Sequence, residues 1–380
     1  MVFNTIEDAN TEFRVRGYPR IQSEHTDRFE TKLMRNEIHI RNRTIGENQP
    51  LFIVAECGVT CNYDMAITKN LIDVVHDSGA DAIKFIFWFP EEIMSDKSIT
   101  YTYETVSGIK TENMYEMLNE LRFTLDEWRE VKEYADKKDV IMFSTLNSPS
   151  SIRYAEAIDL EAYKLSSWDF NYFPLWRKIA SLGKPMLIDT GPVNTAEVAK
   201  VMQLMKDAGN DQHVLIHCFH TDDPAEMNMR SMPYMKYAFN SLVGFSSSDC
   251  NDERDIMAVS LGAVVLEKRL TMSKELPGHH HILSKTPKEF ESYVKMIRNV
   301  QAALGVHDLT PSKGDLTDRK KWFRHIVANQ DIPKGTKLTA DMLEGKRPEK
   351  GISPEYTDLF IGMVTKRDLK YNEAISWEDV

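Results

Sequence analysis

The chain has 380 residues, 42% hydrophobic and 28% charged, with a net charge of −11. That composition excludes a disordered chain, a fibrous repeat and a disulfide scaffold. The acidic balance argues against a nucleic-acid partner, although a few lysines and arginines can still converge on a small anionic substrate inside an acidic protein. Cys57, Cys61, Cys218 and Cys250 form no CxxC pair and read as reduced thiols. The first residues contain no apolar leader core, and no run of about 18 apolar residues occurs, so no membrane partner is expected and the cytoplasm is the expected location.

Residues 1–35 are polar and read as a surface arm, and EIHIRNRTIG (37–46) reads as a short hairpin closing one end of the domain that begins after it. From residue 51 short β-rich runs alternate with amphipathic segments. The runs are FIVAECG (52–58), DAIKFIF (81–87), VIMFSTL (140–146), AYKLSS (162–167), PMLIDTG (185–191), HVLIHCF (213–219), LVGFSSSD (242–249) and AVVLEKRL (263–270). Strands alternating with helices in this rhythm predict a (β/α)8 TIM barrel. A doubly wound sheet lacks its GxGxxG after the first strand. The segment 88–120 is too long for a crossover and is expected to cover the barrel mouth. A helix over 288–305 ends the barrel, and short β runs with Lys-Gly turns predict a small β-rich domain. The expected organisation is an arm and hairpin (1–50), a catalytic barrel (51–306), a polar linker (307–321) and a C-terminal domain (322–380).

In such a barrel catalytic side chains stand at the C-terminal strand ends. Here those ends carry Glu56, Lys84, Thr145, Lys164, Ser167, Asp189, His217, Asp249, Cys250, Glu267 and Arg269. Two lysines from different strands facing carboxylates from others make a phosphate or carboxylate site; an ion-pair network that only plugs the barrel is the alternative.

These residues carry a resemblance to the N-acetylneuraminate (sialic acid) synthase family, which includes the synthases of other nonulosonic acids. The quoted matches are Ala55-Glu56-Cys57-Gly58, Lys84-Phe85-Ile86, Phe143-Ser144-Thr145, Tyr163-Lys164-Leu165-Ser166-Ser167, GKPMLIDTGP, Leu215-Ile216-His217-Cys218, EKRLT and Gly345-Lys346-Arg347-Pro348. The resemblance implies a barrel that condenses phosphoenolpyruvate with an N-acetylated amino sugar, followed by an antifreeze-like (SAF) domain. It implies that Lys84, Thr145, Lys164 and Ser167 hold the donor's phosphate and carboxylate. Glu56 and Glu267 would then lie near the sugar carbonyl and the reacting carbon, and Asp249 beside the metal and the sugar. Arg347 would reach the amino sugar of a partner subunit, which implies a domain-swapped homodimer.

The chain departs from the family pattern at the metal. The two metal-ligand histidines are replaced by Cys250 and Arg269, and an arginine keeps its proton and cannot bind a cation. Asp189 stands where the family has a serine near the phosphate, and His220 replaces an asparagine. Two cofactor expectations arise: none, with Arg269 acting as a fixed cation, or a divalent metal (Mn, Mg or Zn) at a relocated site. The relocated ligands would come from Cys250, His217, His220, His279 and His281. Three functions stay open: a condensing enzyme, the same scaffold turned to another aldolase, lyase or isomerase reaction, and a non-catalytic binding paralogue.

Overall fold

The computed structural model describes residues 37–247, 249–305 and 308–380, so the arm expected over 1–35 lies outside the described residues. The chain forms two compact units, one running to Gly305 and one from Val306 onward.

The described part of the first unit opens with the antiparallel hairpin β1 (Glu37–Ile40) and β2 (Arg43–Gly46). The barrel starts with β3 (Phe52–Glu56) and β4 (Ala82–Ile86). The insertion after β4 carries a two-stranded ribbon, β5 (Thr100–Thr105) and β6 (Gly108–Asn113). The wall continues through β7 (Ile141–Thr145), β8 (Tyr163–Leu165), β9 (Met186–Asp189), β10 (His213–His217), β11 (Leu242–Ser246) and β12 (Val265–Arg269). β12 pairs back onto β3 and closes an eight-stranded parallel barrel, as the alternating runs predict. Helices cover its outer face, and their ends follow local chemistry. Asp64 caps helix Met65–Ser78 by accepting from the Ile67 amide, and Gly79 ends it at φ 75°, which glycine adopts without strain.

Successive side chains of a strand point to opposite faces, so each barrel strand sends alternate residues inward. Phe52, Val54, Ala82, Phe143, Leu187, Ile216 and Val265 pack into one apolar cluster, with Ile38, Ile40 and Ile45 of the hairpin seated in the same cluster. The hairpin therefore plugs the N-terminal end of the barrel. Gly244 belongs to this crowded interior, because a Cβ there would stand 2.5 Å from Ile216 Cδ1. The next inward position toward the other end is polar on strand after strand: Glu56, Lys84, Thr145, Lys164, Asp189, Ser246 and Glu267.

The second unit differs from expectation in its opening stretch. The stretch 307–321, expected as a linker, carries helix Lys313–Trp322, started by a capping box between Ser312 and Asp315. None of its residues is buried, so no apolar period marks it in the sequence. The small β-rich domain that follows pairs β13 (His325–Ala328) with β14 (Leu343–Lys346) and adds single bridges such as Ile332 to Leu369. Its core gathers Ile326, Ile332, Leu338, Phe360, Leu369 and Ile375.

Candidate active site

The polar layer of the barrel is centred on Glu267. Its Oε1 accepts from Lys84 Nζ at 3.0 Å and from Ser246 Oγ at 3.1 Å, and its Oε2 accepts from Lys164 Nζ at 2.7 Å. Lys164 also lies 2.8 Å from Asp189, and Lys84 lies 3.5 Å from Glu56. Arg269 Nε stands 3.6 Å from the other Glu56 oxygen. Three cations thus interleave with three carboxylates from β3, β4, β8, β9 and β12. Lys164 and Glu267 are 1% and 4% exposed, so neither charge is tolerable without the other.

Burial alone would raise the Glu267 carboxyl, but Lys164 and Lys84 outweigh it and hold the group well below the usual carboxylate range. At Asp189 burial wins over the attraction of Lys164, and the carboxyl is raised. Burial works against the charge of Lys164, yet Asp189 and Glu267 raise its pKa and keep it an ammonium.

Above this layer opens a cavity of about 560 Å³ lined by Glu56, Lys84, Thr145, Ser167, Asp189, Glu267, Arg269, His220 and His279. Nine residues named from the sequence therefore meet at one mouth. Ser167 Oγ lies 3.5 Å from His220 Nε2, and the His220 ring packs 4.4 Å from that of Trp168. Burial, then Arg269, lowers the pKa of His220. The expected cover is present: Trp88, Met94, Tyr101, Met114 and Met117 of the 88–120 segment line the same cavity. Tyr101 and Tyr103 on β5 meet the edge of His279 at 5.3 and 5.6 Å.

Other expected residues are not brought in. His217 comes directly after an inward Ile216 and so faces out of the barrel, where its Nε2 donates to the Met227 carbonyl at 2.8 Å. It borders a separate cavity of about 360 Å³. Asp249 accepts from Arg254 at 2.5 Å and from Ser247 Oγ at 3.1 Å and does not line the main cavity. Arg347, which the resemblance assigns to a partner subunit's site, lies in the second unit, where its Nε donates to the Trp322 carbonyl at 2.7 Å.

The residues present do not fit a divalent ion. Arg269 puts a guanidinium where the family pattern has a ligand. Cys250 Sγ rests 3.9 Å from the Ile282 carbonyl, outside the cavity lining. His281 has both ring nitrogens engaged, one 2.7 Å from Thr271 Oγ1 and one 2.9 Å from Asn62 Oδ1. Among the described residues no three His, Cys, Asp or Glu side chains converge, so the relocated ligand set is not assembled. No helix among them is long and apolar enough to cross a membrane.

Sequence reasoning missed Trp88, Asn147, Trp168 and Ser246, all of which line the cavity. Ser246 was within reach, since it occupies the inward strand-end position of β11. The others sit a few residues past their strands, where no period applies.

Comparison with known proteins agrees with this architecture. The NeuB family pattern matches residues 71–308, and the SAF domain pattern matches residues 323–380. An uncharacterised protein of Methanocaldococcus jannaschii is 32% identical over 349 residues, covering 90% of this chain and 98% of that protein. The N,N′-diacetyllegionaminic acid synthase of Campylobacter jejuni is 30% identical over 328 residues, covering 85% and 98%. The crystal structure of the N-acetylneuraminic acid (sialic acid) synthetase of Leptospira borgpetersenii shares the fold, with a TM-score of 0.67 and 24% identity, covering 74% of this chain and 95% of that one. This chain is an enzyme of the NeuB family, a (β/α)8 barrel followed in sequence by a SAF domain.

Proposed function

We propose that the chain condenses phosphoenolpyruvate with an amino-sugar-type aldehyde to give a nonulosonic acid and phosphate. The observation that carries the reading is the charged layer beneath the cavity, where Lys84 and Lys164 come from different strands onto one carboxylate. Oriented ammonium groups in a buried site suit a small, doubly anionic donor. In this reading Lys84, Lys164, Thr145 and Ser167 hold the donor's phosphate and carboxylate. The donor's methylene carbon bonds to the aldehyde carbon as the aldehyde oxygen gains a proton. Water adds to the adjacent carbon, and the C–O bond to phosphate breaks.

Arg269 supplies the positive charge that polarises the aldehyde oxygen, and the reaction runs without a divalent ion. Glu56 orients the water and takes its proton, through an Oε2 that accepts no hydrogen bond within the described residues. Glu267, held ionised by the lysines, fixes their positions. Asp249 keeps only a supporting place. The barrel (51–306) is the catalytic domain, Arg347 of the C-terminal domain (322–380) serves a second copy's acceptor in a swapped homodimer, and the enzyme works in the cytoplasm.

One observation favours a second reading. Asp189 already neutralises Lys164 from 2.8 Å and places a carboxylate beside the phosphate position, which suits a less highly charged substrate in another aldolase or lyase reaction. The two readings part in a thermal-shift titration with phosphoenolpyruvate at fixed ionic strength, followed by phosphate release with aldehyde present. A ligand bound only by the folded state raises the melting temperature by mass action, about 2.7 kcal/mol of stabilisation at a hundredfold excess over Kd. A shift with phosphate release upholds the condensation. No shift moves the chain to the second reading.

A further inference from the structure

The separate cavity of about 360 Å³ opens between the loop after β9, the end of β10 and the helix Ser231–Phe239. Among the described residues its lining holds no lysine or arginine and does hold Glu226, so a bound anion would find no counter-charge. Most polar side chains around it are already paired. Thr190 Oγ1 donates to the Ile216 carbonyl at 3.2 Å, Thr195 Oγ1 meets Tyr234 Oη at 3.2 Å, and Thr221 Oγ1 donates to Glu226 at 3.0 Å.

His217 is different. It is 6% exposed, and its Nε2 bonds a carbonyl of Met227, which can only accept, so that nitrogen carries the proton. Burial lowers its pKa, so the ring is neutral and Nδ1 presents a bare lone pair. Nδ1 receives no hydrogen bond among the described residues, and the residue lines the cavity. A buried acceptor left without a donor is costly, and a ligand O–H recovers that cost. Val198, Met235 and Phe239 add an apolar wall. An open acceptor in a lining otherwise largely paired or apolar suits a compact neutral body with a single hydroxyl. A sugar, with a hydroxyl on nearly every carbon, would leave most of them unmet.

This cavity shares a wall with the main one. Cys218, Phe219 and His220 line both. Gly191, in the lining of the smaller cavity, is pressed against Ser167, since a Cβ there would stand 2.4 Å from Ser167 Oγ. An occupant therefore bears on the same wall that presents His220 to the main cavity.

We propose that the smaller cavity is a second ligand site, for a small neutral alcohol or phenol whose hydroxyl donates to His217 Nδ1, and that His220 senses its occupancy. The site is separate from the proposed condensation and needs neither of its substrates.

The probes are phenol and fluorobenzene, rings of similar size of which only phenol donates a hydrogen bond. Dissociation constants are measured by ligand-observed NMR on the full chain, and the imidazole resonances of His217 and His220 are followed in the same titrations. Wild type should bind phenol about tenfold more tightly than fluorobenzene, the size of one net hydrogen bond. Phenol should shift the His217 Nδ1 resonance and, to a smaller extent, those of His220. His217→Phe should abolish the preference for phenol. Ser231→Phe leaves His217 and its bond to Met227 in place, fills the cavity from its rim, and should weaken both rings at least tenfold. No binding of phenol, equal binding of the two rings by wild type, a fixed His217 resonance, or undiminished binding in Ser231→Phe overturns the site. A shift at His217 with none at His220 overturns the coupling. No arm uses phosphoenolpyruvate, so failure of the donor reading and failure of this site are read apart.

Discussion

The Asp189 carboxylate sits 2.8 Å from the Lys164 ammonium, a position from which it competes with any anion that the lysine could bind. Asp189→Ser removes that competitor. Donor affinity for phosphoenolpyruvate should rise about tenfold, the scale of one charge pair near a screened pocket. A titration calorimeter reads this directly, and weaker binding in the variant counts against a donor site at Lys164.

The same carboxyl gives a pH dependence whose sign can be worked out. Burial raises Asp189 above its unfolded value, so the folded state takes up its proton first as pH falls. Its contribution to stability is present below the unfolded pKa and is lost as pH rises through the raised folded one. Donor binding takes the same direction, because a protonated Asp189 no longer repels an anion. Phosphoenolpyruvate Kd should therefore tighten as pH is lowered from 8 toward the raised carboxyl, and this trend should vanish in Asp189→Ser.

His281 runs the opposite way. Burial lowers its pKa to about 4, so the unfolded chain binds that proton more readily. The contribution is present above the unfolded value near 6.5 and is lost as pH falls toward 4. His279, also lowered to about 4 by burial, acts in the same direction. The melting temperature should drop between pH 6.5 and 4, and His281→Gln, which can still hydrogen-bond Thr271 and Asn62, should flatten part of that slope.

Arg269 is the chain's substitute for a metal charge in the proposed reaction. Turnover of wild type should survive excess chelator within about twofold, and Arg269→Gln should lower kcat by about a hundredfold or more, as for loss of one oriented charge-stabilising donor. Full loss in chelator with recovery on adding manganese contradicts the assignment.

Outside the barrel wall, Lys268 and Asp255 form a fully buried pair at 2.7 Å. Asp255→Ala leaves the buried ammonium with the Asn251 carbonyl at 2.7 Å but without its close carboxylate, and should cost about 3 kcal/mol in chemical denaturation. Its effect on phosphoenolpyruvate binding should be small, because Lys268 points away from the cavity that Glu267 and Arg269 line.

Much of this architecture could be read from the residues. All eight barrel strands coincide with apolar runs, since strands buried on both faces need continuous hydrophobicity. That continuity also hid the facing of individual side chains. In HVLIHCF nothing marks His217 as outward and Ile216 as inward, so a histidine at a strand end reads as a site residue when it is a wall residue. Charged residues were easier, because Glu56, Lys84, Lys164 and Glu267 in apolar runs must find one another. Trp88 and Asn147 gave no such signal. They lie just past the ends of β4 and β7, beyond the last register pair of Ile86 with Thr145, where no strand period places them.

The hairpin seated under Phe52 and Ile216 makes the barrel a blind alley with one door. Whatever rests on Lys84 must enter through the mouth that the 88–120 segment helps to line. In the proposed reaction the donor must therefore arrive before the aldehyde, and excess aldehyde should inhibit by occupying the mouth first.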